Sequence, residues 1–169
     1  MREGCILESF ARLRGGCAGA PATYNRRRRH GFEAREPGFD MQCPTHRYAD
    51  VVVASADGRI DHAGAQALEA AIASALEAGS GVRGLVIDFS KVDYISSVGL
   101  RVLMVAAKAL RARRATVAVT QLQSVVAEIF EISRFHHVVE VRHDVREAVA
   151  EISPDALAAY DRSRGAEAR

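Results

Sequence analysis

A continuous apolar run of strand length, Gly84–Phe89 (GLVIDF), is the feature that most constrains what this chain can fold into. A run without a polar face is typical of a strand that is covered on both sides. It is followed closely by Val98–Leu110, which is apolar nearly all round and broken only by a thin polar stripe. That pattern predicts a helix largely buried against a sheet. The two segments together favour an α/β fold in which helices cover a sheet.

The neighbouring segments repeat this order of strand and helix. Ala49–Ala56 is short and β-branched and precedes Asp57-Gly58, which predicts a strand ending in a turn or bulge. Asp61 is the predicted N-cap of the next helix. Further strands are predicted at Thr116–Thr120 and Val138–Val141, and further helices at Ala63–Ala78, at Ser124–Ile132 and from Asp144 onward, with a break or kink at Pro154. The alternation predicts a sheet that is mixed or mostly parallel.

Residues 1–45 differ from the rest in composition and charge. They hold eight arginines and five acidic residues, which gives them a formal charge of +3 and leaves −1 for the remainder. They show no sustained period, and such a segment buries too little apolar surface to offset the entropy of ordering. We therefore expect a disordered basic tail over residues 1–45, a folded domain over 46–152, and a helix end with a frayed tail over 153–169.

Two features of the tail invite a more specific interpretation. The run Arg26–Arg29 fits a solvated tail better than a tether to an anionic surface. Met41 stands just before the first structured segment, so we expect it to be the true start of the protein.

Charge and cysteine usage exclude several classes of function. The near-neutral domain argues against a nucleic-acid-binding face, which would need a basic patch. Cys5, Cys17 and Cys43 are odd in number and lack metal-type spacing, which indicates free thiols. No apolar run approaches the ~18 residues of a membrane span, and no signal-peptide segment is recognisable. We expect a cytoplasmic protein without a metal or cofactor.

The most specific motif lies at residues 88–100 (DFSKVDYISSVGL). It combines a strand ending in Asp-Phe-Ser, a short loop to an aromatic and an aliphatic residue, and a serine two positions before Gly-Leu. This resembles the signature of STAS domains, specifically of bacterial anti-sigma factor antagonists. Gly58–Asp61 (GRID) and Glu131–Ser133 (EIS) resemble two further family segments. The resemblance covers roughly residues 46–150 and implies a STAS-type sandwich, a mixed and mostly parallel sheet covered by helices.

The resemblance also implies a regulatory protein that is not an enzyme. Dephosphorylated members bind an anti-sigma factor that is itself an ATP-dependent serine kinase of the histidine-kinase-like type, and this frees the sigma factor. A serine phosphatase resets the cycle. The phosphorylated serine of switched members corresponds to Ser97, with Ser96 as the less favoured position. The partner-binding residues are then expected to be Asp61, Ser96, Ser97, Val98, Gly99, Leu100 and Arg101.

Three positions depart from the family pattern. Ser96 stands where the family often has aspartate, and Val98 stands where it often has a small residue. The usual Ser/Thr-Gly-Leu after the penultimate helix is replaced by Ser133-Arg134-Phe135. The first change bears on which kinase acts at the site, and the last bears on the shape of a nearby loop.

Without reference to any family, the residues around Ser97 are compatible with a switch but favour a plain capping serine, and only the whole motif favours a regulatory site. Ser97 follows a strand and precedes a long helix, so it is predicted as an N-cap or first-turn residue. Unpaired N–H groups and the positive end of the helix dipole lie there and would tolerate a phosphoryl group. Arg101, four residues on, lies over the next turn. The simpler interpretation is a plain capping serine, and for Gly99 we favour close packing over ligand binding.

Two alternatives to the antagonist function remain open. One is a STAS subunit of a lipid-transport or stress-signalling assembly without a phospho-switch. The other is a small serine hydrolase, because a strand–Ser–helix order resembles a nucleophile elbow. Ile95 occupies the first glycine position of that motif, and its partners would have to be Asp144 with His136 or His137. We therefore predict no catalytic residues.

Overall fold

The structure is a computed structural model that describes residues 41–77 and 81–167. Its strands are β1 (Thr45–Tyr48), β2 (Val51–Ile60), β3 (Gly84–Ile95), β4 (Thr116–Thr120) and β5 (Glu140–Arg142). Its helices are α1 (His62–Glu77), α2 (Ser97–Arg111), α3 (Ser124–Ile132), α4 (Val145–Ile152) and α5 (Pro154–Glu167), and a 3₁₀ turn spans Phe135–His137.

The five strands form one sheet in the order β1-β2-β3-β4-β5. β1 runs antiparallel to β2, and every other neighbouring pair is parallel. Each parallel pair is joined through one of the helices α1 to α3, as a parallel crossover requires. The predicted mixed, mostly parallel α/β sandwich is confirmed.

The two faces of the sheet carry separate apolar cores because successive side chains of a strand point to opposite faces. The larger core holds Leu85, Ile87 and Phe89 of β3 with buried residues of α1, α2 and α3. The smaller core holds Val86 of the same strand and is covered by α4 and α5. The unbroken apolar character of β3 therefore follows from its burial on both faces.

β2 extends further than the sequence predicted. Of the turn or bulge expected at Asp57-Gly58, the bulge is present, but the strand does not end there and continues to Ile60. It does so through two shifts in its register against β3, one of them next to Gly58, whose φ is +107°. Bulges of this kind lengthen a strand while increasing its local twist. Both β2 and β3 consequently reach the same edge of the sheet before their helices begin.

The ordered domain begins earlier than the expected boundary at residue 46. Met41 is 6% exposed and belongs to the larger core. Gln42 exchanges two backbone hydrogen bonds with Asp57, of 3.1 and 2.8 Å. Residues 41–45 are thus paired to the sheet and are not part of a tail, whereas the rest of the predicted tail, with Arg26–Arg29, lies outside the described residues.

The C-terminal end also differs from the expectation. α4 ends at Ile152 and a new helix begins at Pro154, so the predicted break is present. The expected frayed tail is instead α5, which continues to Glu167. Its Asp161 accepts hydrogen bonds of 3.0 and 2.9 Å from Arg146 of α4, and the Tyr160 ring packs edge-on against Tyr48 of β1. These contacts hold α5 against the smaller core.

Cys43 is a half-buried free thiol, and burial raises its pKa to about 11. The thiol is therefore protonated at neutral pH; Cys5 and Cys17 lie outside the described residues. Within the described ranges, no cluster of three or more His, Cys, Asp or Glu side chains is placed to hold a metal ion. No described helix has the length and apolar character needed to cross a bilayer.

Candidate partner-binding site

The candidate site lies where β2 and β3 end side by side. Ile60 pairs with Ile95 at the ends of these strands, and a helix begins after each of them. The Ser96 N–H donates a 2.8 Å hydrogen bond to the Ile60 carbonyl, which joins the two helix starts directly. The residues that the sequence predicted as a partner surface, Asp61 and 96–101, are thereby brought together.

Ser96 is the N-cap of α2. It has extended backbone dihedrals, and its hydroxyl accepts a 3.3 Å hydrogen bond from the Gly99 N–H. Ser97 is the first residue of the helix, so the capping role that the sequence left open for Ser97 belongs to Ser96. Ser97 is exposed, and none of the hydrogen bonds in the described part of the chain involves its hydroxyl. The Ser97 hydroxyl therefore does not stabilise the described part of the fold through a hydrogen bond.

Gly99 is a packing residue. A Cβ at this position would lie 2.6 Å from Cγ2 of Ile60 and 2.9 Å from Cγ1 of Ile95. Only glycine lets the first turn of α2 sit this close to the ends of both strands, as the sequence suggested. The glycine is itself buried, whereas its neighbour Val98 is 37% exposed.

Asp61 caps α1 as predicted. One of its carboxylate oxygens accepts hydrogen bonds of 3.0 Å from the N–H groups of Ala63 and Gly64. Gly64 has a tight neighbour of its own, because a Cβ there would lie 2.2 Å from the Arg59 carbonyl oxygen. Two capped helix starts, each with a close-packed glycine three residues after the cap, therefore form the floor of the site.

Charged side chains around the site are paired with one another. Arg59 lies 3.7 Å from Asp93 and stacks over the Tyr94 ring at 4.4 Å. Lys91 donates a 3.3 Å hydrogen bond to Asp57. Sequence reasoning did not single out these residues, because the partners are distant in the chain and meet only through the pairing of β2 with β3.

Arg101 and Leu100 complete the predicted set. Arg101 is exposed on α2, one turn beyond Ser97, which places the two residues on one face of the helix. Leu100 is half-buried and packs against the larger core. Of the seven predicted residues, the exposed group therefore comprises Asp61, Ser97, Val98 and Arg101.

The residues considered for a hydrolase are not gathered around Ser97. Arg111, the last residue of α2, donates to the carbonyls of His137 and Val138 at 3.4 and 2.9 Å. A helix of this length separates its ends by about 21 Å, so the His137 backbone is near the opposite end of α2 from Ser97. Asp144 caps α4 by accepting a 2.7 Å bond from the Glu147 N–H.

Comparison with known proteins agrees with this architecture. Residues 42–148 match the STAS domain family. BtrV of Bordetella bronchiseptica, which is named as an anti-sigma factor antagonist, is 37% identical over 117 residues, covering 69% of this chain and 98% of BtrV.

Two solved structures share the fold. An anti-sigma factor antagonist from Mycobacterium paratuberculosis superimposes with a TM-score of 0.60 at 23% identity, over 66% of this chain and 93% of that one. The phosphorylated form of the Bacillus cell fate determinant SpoIIAA gives a TM-score of 0.51 at 18% identity, over 67% of this chain and 99% of that one. From its sequence, its sheet and these relatives, the chain belongs to the STAS domain family.

Proposed function

We propose that this protein is an anti-sigma factor antagonist whose binding to its partner is switched by phosphorylation at Ser97. Its partner is an anti-sigma factor that is also a serine kinase of the histidine-kinase-like type, and binding releases a sigma factor in the cytoplasm. A serine phosphatase restores the binding form. The named function of BtrV supports the antagonist role, and the protein itself acts by binding and not by catalysis.

The main support for the proposal is that two adjacent serines differ in their contacts: one caps the helix and the other does not. Ser96 closes the helix start with its hydroxyl, and Ser97 presents an exposed hydroxyl that nothing in the described domain uses. A kinase can therefore modify Ser97 without removing a cap. Phosphorylation of Ser96 would instead disturb the bond to the Gly99 N–H, which favours Ser97 over Ser96.

The effect of the modification follows from charge and solvation. A phosphoryl group adds about −1.5 to −2 charges and three acceptor oxygens. At the first residue of α2 it faces the positive end of the helix dipole, so the domain itself tolerates it. A partner surface that fits a neutral hydroxyl beside exposed Val98 would have to bury that charge unpaired, which is costly. The unmodified protein binds and the phosphorylated protein is released.

The test is to incubate the protein with purified anti-sigma factor kinases of its source organism and ATP, and to locate phosphate by mass spectrometry. We expect one phosphate, at Ser97, and none on Ser97→Ala, which still binds. Ser97→Asp should weaken binding at least tenfold. Neither variant should change the free energy of unfolding by more than about 0.5 kcal/mol, because the side chain is exposed and makes no cap.

Ala150→Asp provides the matched control, since it adds the same charge at an exposed position of α4 on the other face of the sheet. It should bind the kinase like the wild type. Phosphate that persists on Ser97→Ala and disappears from Ser96→Ala would move the switch by one residue. If no phosphate forms and Ser97→Asp binds like the wild type, the switch is refuted, and a STAS adaptor without a phospho-switch becomes the better account.

A further inference from the structure

The outer face of α3 is unusually apolar for a surface helix. α3 buries Val126 and Phe130 in the larger core, yet Val125 is 54% exposed and Ile132 is 85% exposed. The two exposed residues are seven positions apart, so they lie on one side of the helix. Single exposed apolar residues are ordinary, but an aligned pair on a helix of nine residues indicates a contact surface.

A shallow groove connects this face with the strand that leads to Ser97. The groove has a volume of about 400 Å³ and lies between residues 90–93 of β3 and residues 123–125 at the start of α3. The Gln123 side chain donates a 2.5 Å hydrogen bond to the Ser90 carbonyl, which links the two segments that line the groove. Val125 forms part of the groove wall, and β3 continues from the groove to Ile95, the residue before Ser96.

Two acidic residues accompany the apolar side chains of α3. Glu128 and Glu131 are exposed, and neither takes part in the ion pairs found within the described ranges. By contrast, Asp57 and Asp93 next to the groove already have basic partners at 3.3 and 3.7 Å. The α3 face thus offers acidic side chains outside any ion pair between two exposed apolar residues, which selects a counterpart with both apolar and basic side chains.

We propose that the exposed face of α3, defined by Val125, Glu128 and Ile132, is a second contact surface for the anti-sigma factor that binds at Ser97. The anti-sigma factor contributes a segment with apolar side chains on either side of a lysine or arginine, which lies along α3 and inserts a side chain into the groove. This inference rests on the proposed function. If both hold, the α3 surface determines which anti-sigma factor is bound, and phosphorylation of Ser97 determines whether it is bound.

The experiment measures binding of the purified kinase that phosphorylates the wild-type chain. Val125→Asp and Ile132→Asp should each weaken binding at least tenfold, while Val125→Ala and Ile132→Ala should weaken it less. Glu128→Lys should slow association and reverse its dependence on salt. Ala150→Asp again serves as the charge control and should bind normally. Circular dichroism and thermal unfolding should show that every variant keeps the fold, because the substituted side chains are exposed.

The outcomes separate this inference from the proposed function. If Ser97→Asp lowers affinity and the α3 variants bind like the wild type, the α3 surface is refuted and the proposed function stands. If no anti-sigma factor binds the wild-type chain, both are refuted. If sedimentation shows that the wild type self-associates and that Ile132→Asp abolishes this without affecting kinase binding, the face joins two copies of the chain and the inference is wrong.

Discussion

The starts of α1 and α2 share the same local arrangement, and they differ in the charge and the hydrogen bonds of their caps. Each helix follows a strand, and the two strands end at the paired residues Ile60 and Ile95. Each has a polar cap, Asp61 or Ser96, whose side-chain oxygen accepts a hydrogen bond from a backbone N–H of the first turn. In both, the third residue after the cap is a glycine at which an added Cβ would clash with a neighbouring atom.

The two starts differ in charge and in how fully the cap is used. Asp61 brings a permanent negative charge and accepts two hydrogen bonds of 3.0 Å. Ser96 is neutral and accepts one bond of 3.3 Å. The positive end of the α2 dipole is therefore less compensated than that of α1. The first turn of α2 holds no acidic residue and would stabilise an added negative charge, which under the proposed function is the phosphoryl group on the exposed Ser97.

Gly64→Ala should have the largest effect on this pair of helix starts. The new methyl group would lie 2.2 Å from the Arg59 carbonyl oxygen, and a backbone atom cannot move aside as a side chain can. We expect a loss of about 3 kcal/mol or more in the free energy of unfolding, measured by chemical denaturation. A loss below 1 kcal/mol would show that the start of α1 is not fixed as described.

Gly99→Ala should be costly but milder, because the new methyl group meets the side chains of Ile60 and Ile95, which can adjust. Overpacking of this kind costs about 1–3 kcal/mol. Gly165→Ala on α5 is the matched control, since the added carbon would meet nothing within 4 Å beyond its chain neighbours and its own helix backbone. It should leave the free energy of unfolding unchanged or raise it slightly through helix propensity. Equal effects at Gly99 and Gly165 would contradict the packing role of Gly99.

Removal of the two caps should have the smallest effect and should rank them. Asp61→Ala gives up two hydrogen bonds and a favourable charge, so we expect a loss of about 1–2 kcal/mol. Ser96→Ala gives up one long hydrogen bond, with an expected loss of about 0.5–1 kcal/mol. Thermal unfolding of both variants provides the comparison. A larger loss for Ser96→Ala would reverse the assignment of α1 as the more strongly capped helix.

Much of the fold was predictable because the elements concerned have strong local signals. α3 and β4 were placed at their observed bounds, since each is a short apolar segment between clear breaks. The cap at Asp61 and the packing role of Gly99 also followed from local spacing. Pro154 marked the end of α4 because proline lacks the N–H that a continuing helix would need.

The remaining features depend on contacts between distant residues. β1 is four residues long and forms only by pairing with β2, so its own sequence does not predict it. β2 continues past Asp57-Gly58 because β3 provides partners there, which outweighs the local preference for a turn. Of the two positions predicted for Ser97, N-cap or first turn, the structure has the first turn, and the cap is Ser96, whose N–H is bonded to the Ile60 carbonyl. None of these contacts has a signature within a short window.

The order of strands in the sheet has a consequence for how the chain acquires its structure. Each strand from β2 to β5 pairs with the strand that precedes it in the sequence, so no later strand of this sheet has to insert between two that are already joined. Each connection between parallel partners spans a single α-helix, so the entropic cost of loop closure differs little from one step to the next. During synthesis, β1, β2 and β3 can join as they emerge, with β4 and β5 adding in turn at the growing edge. Assembly can follow translation strand by strand.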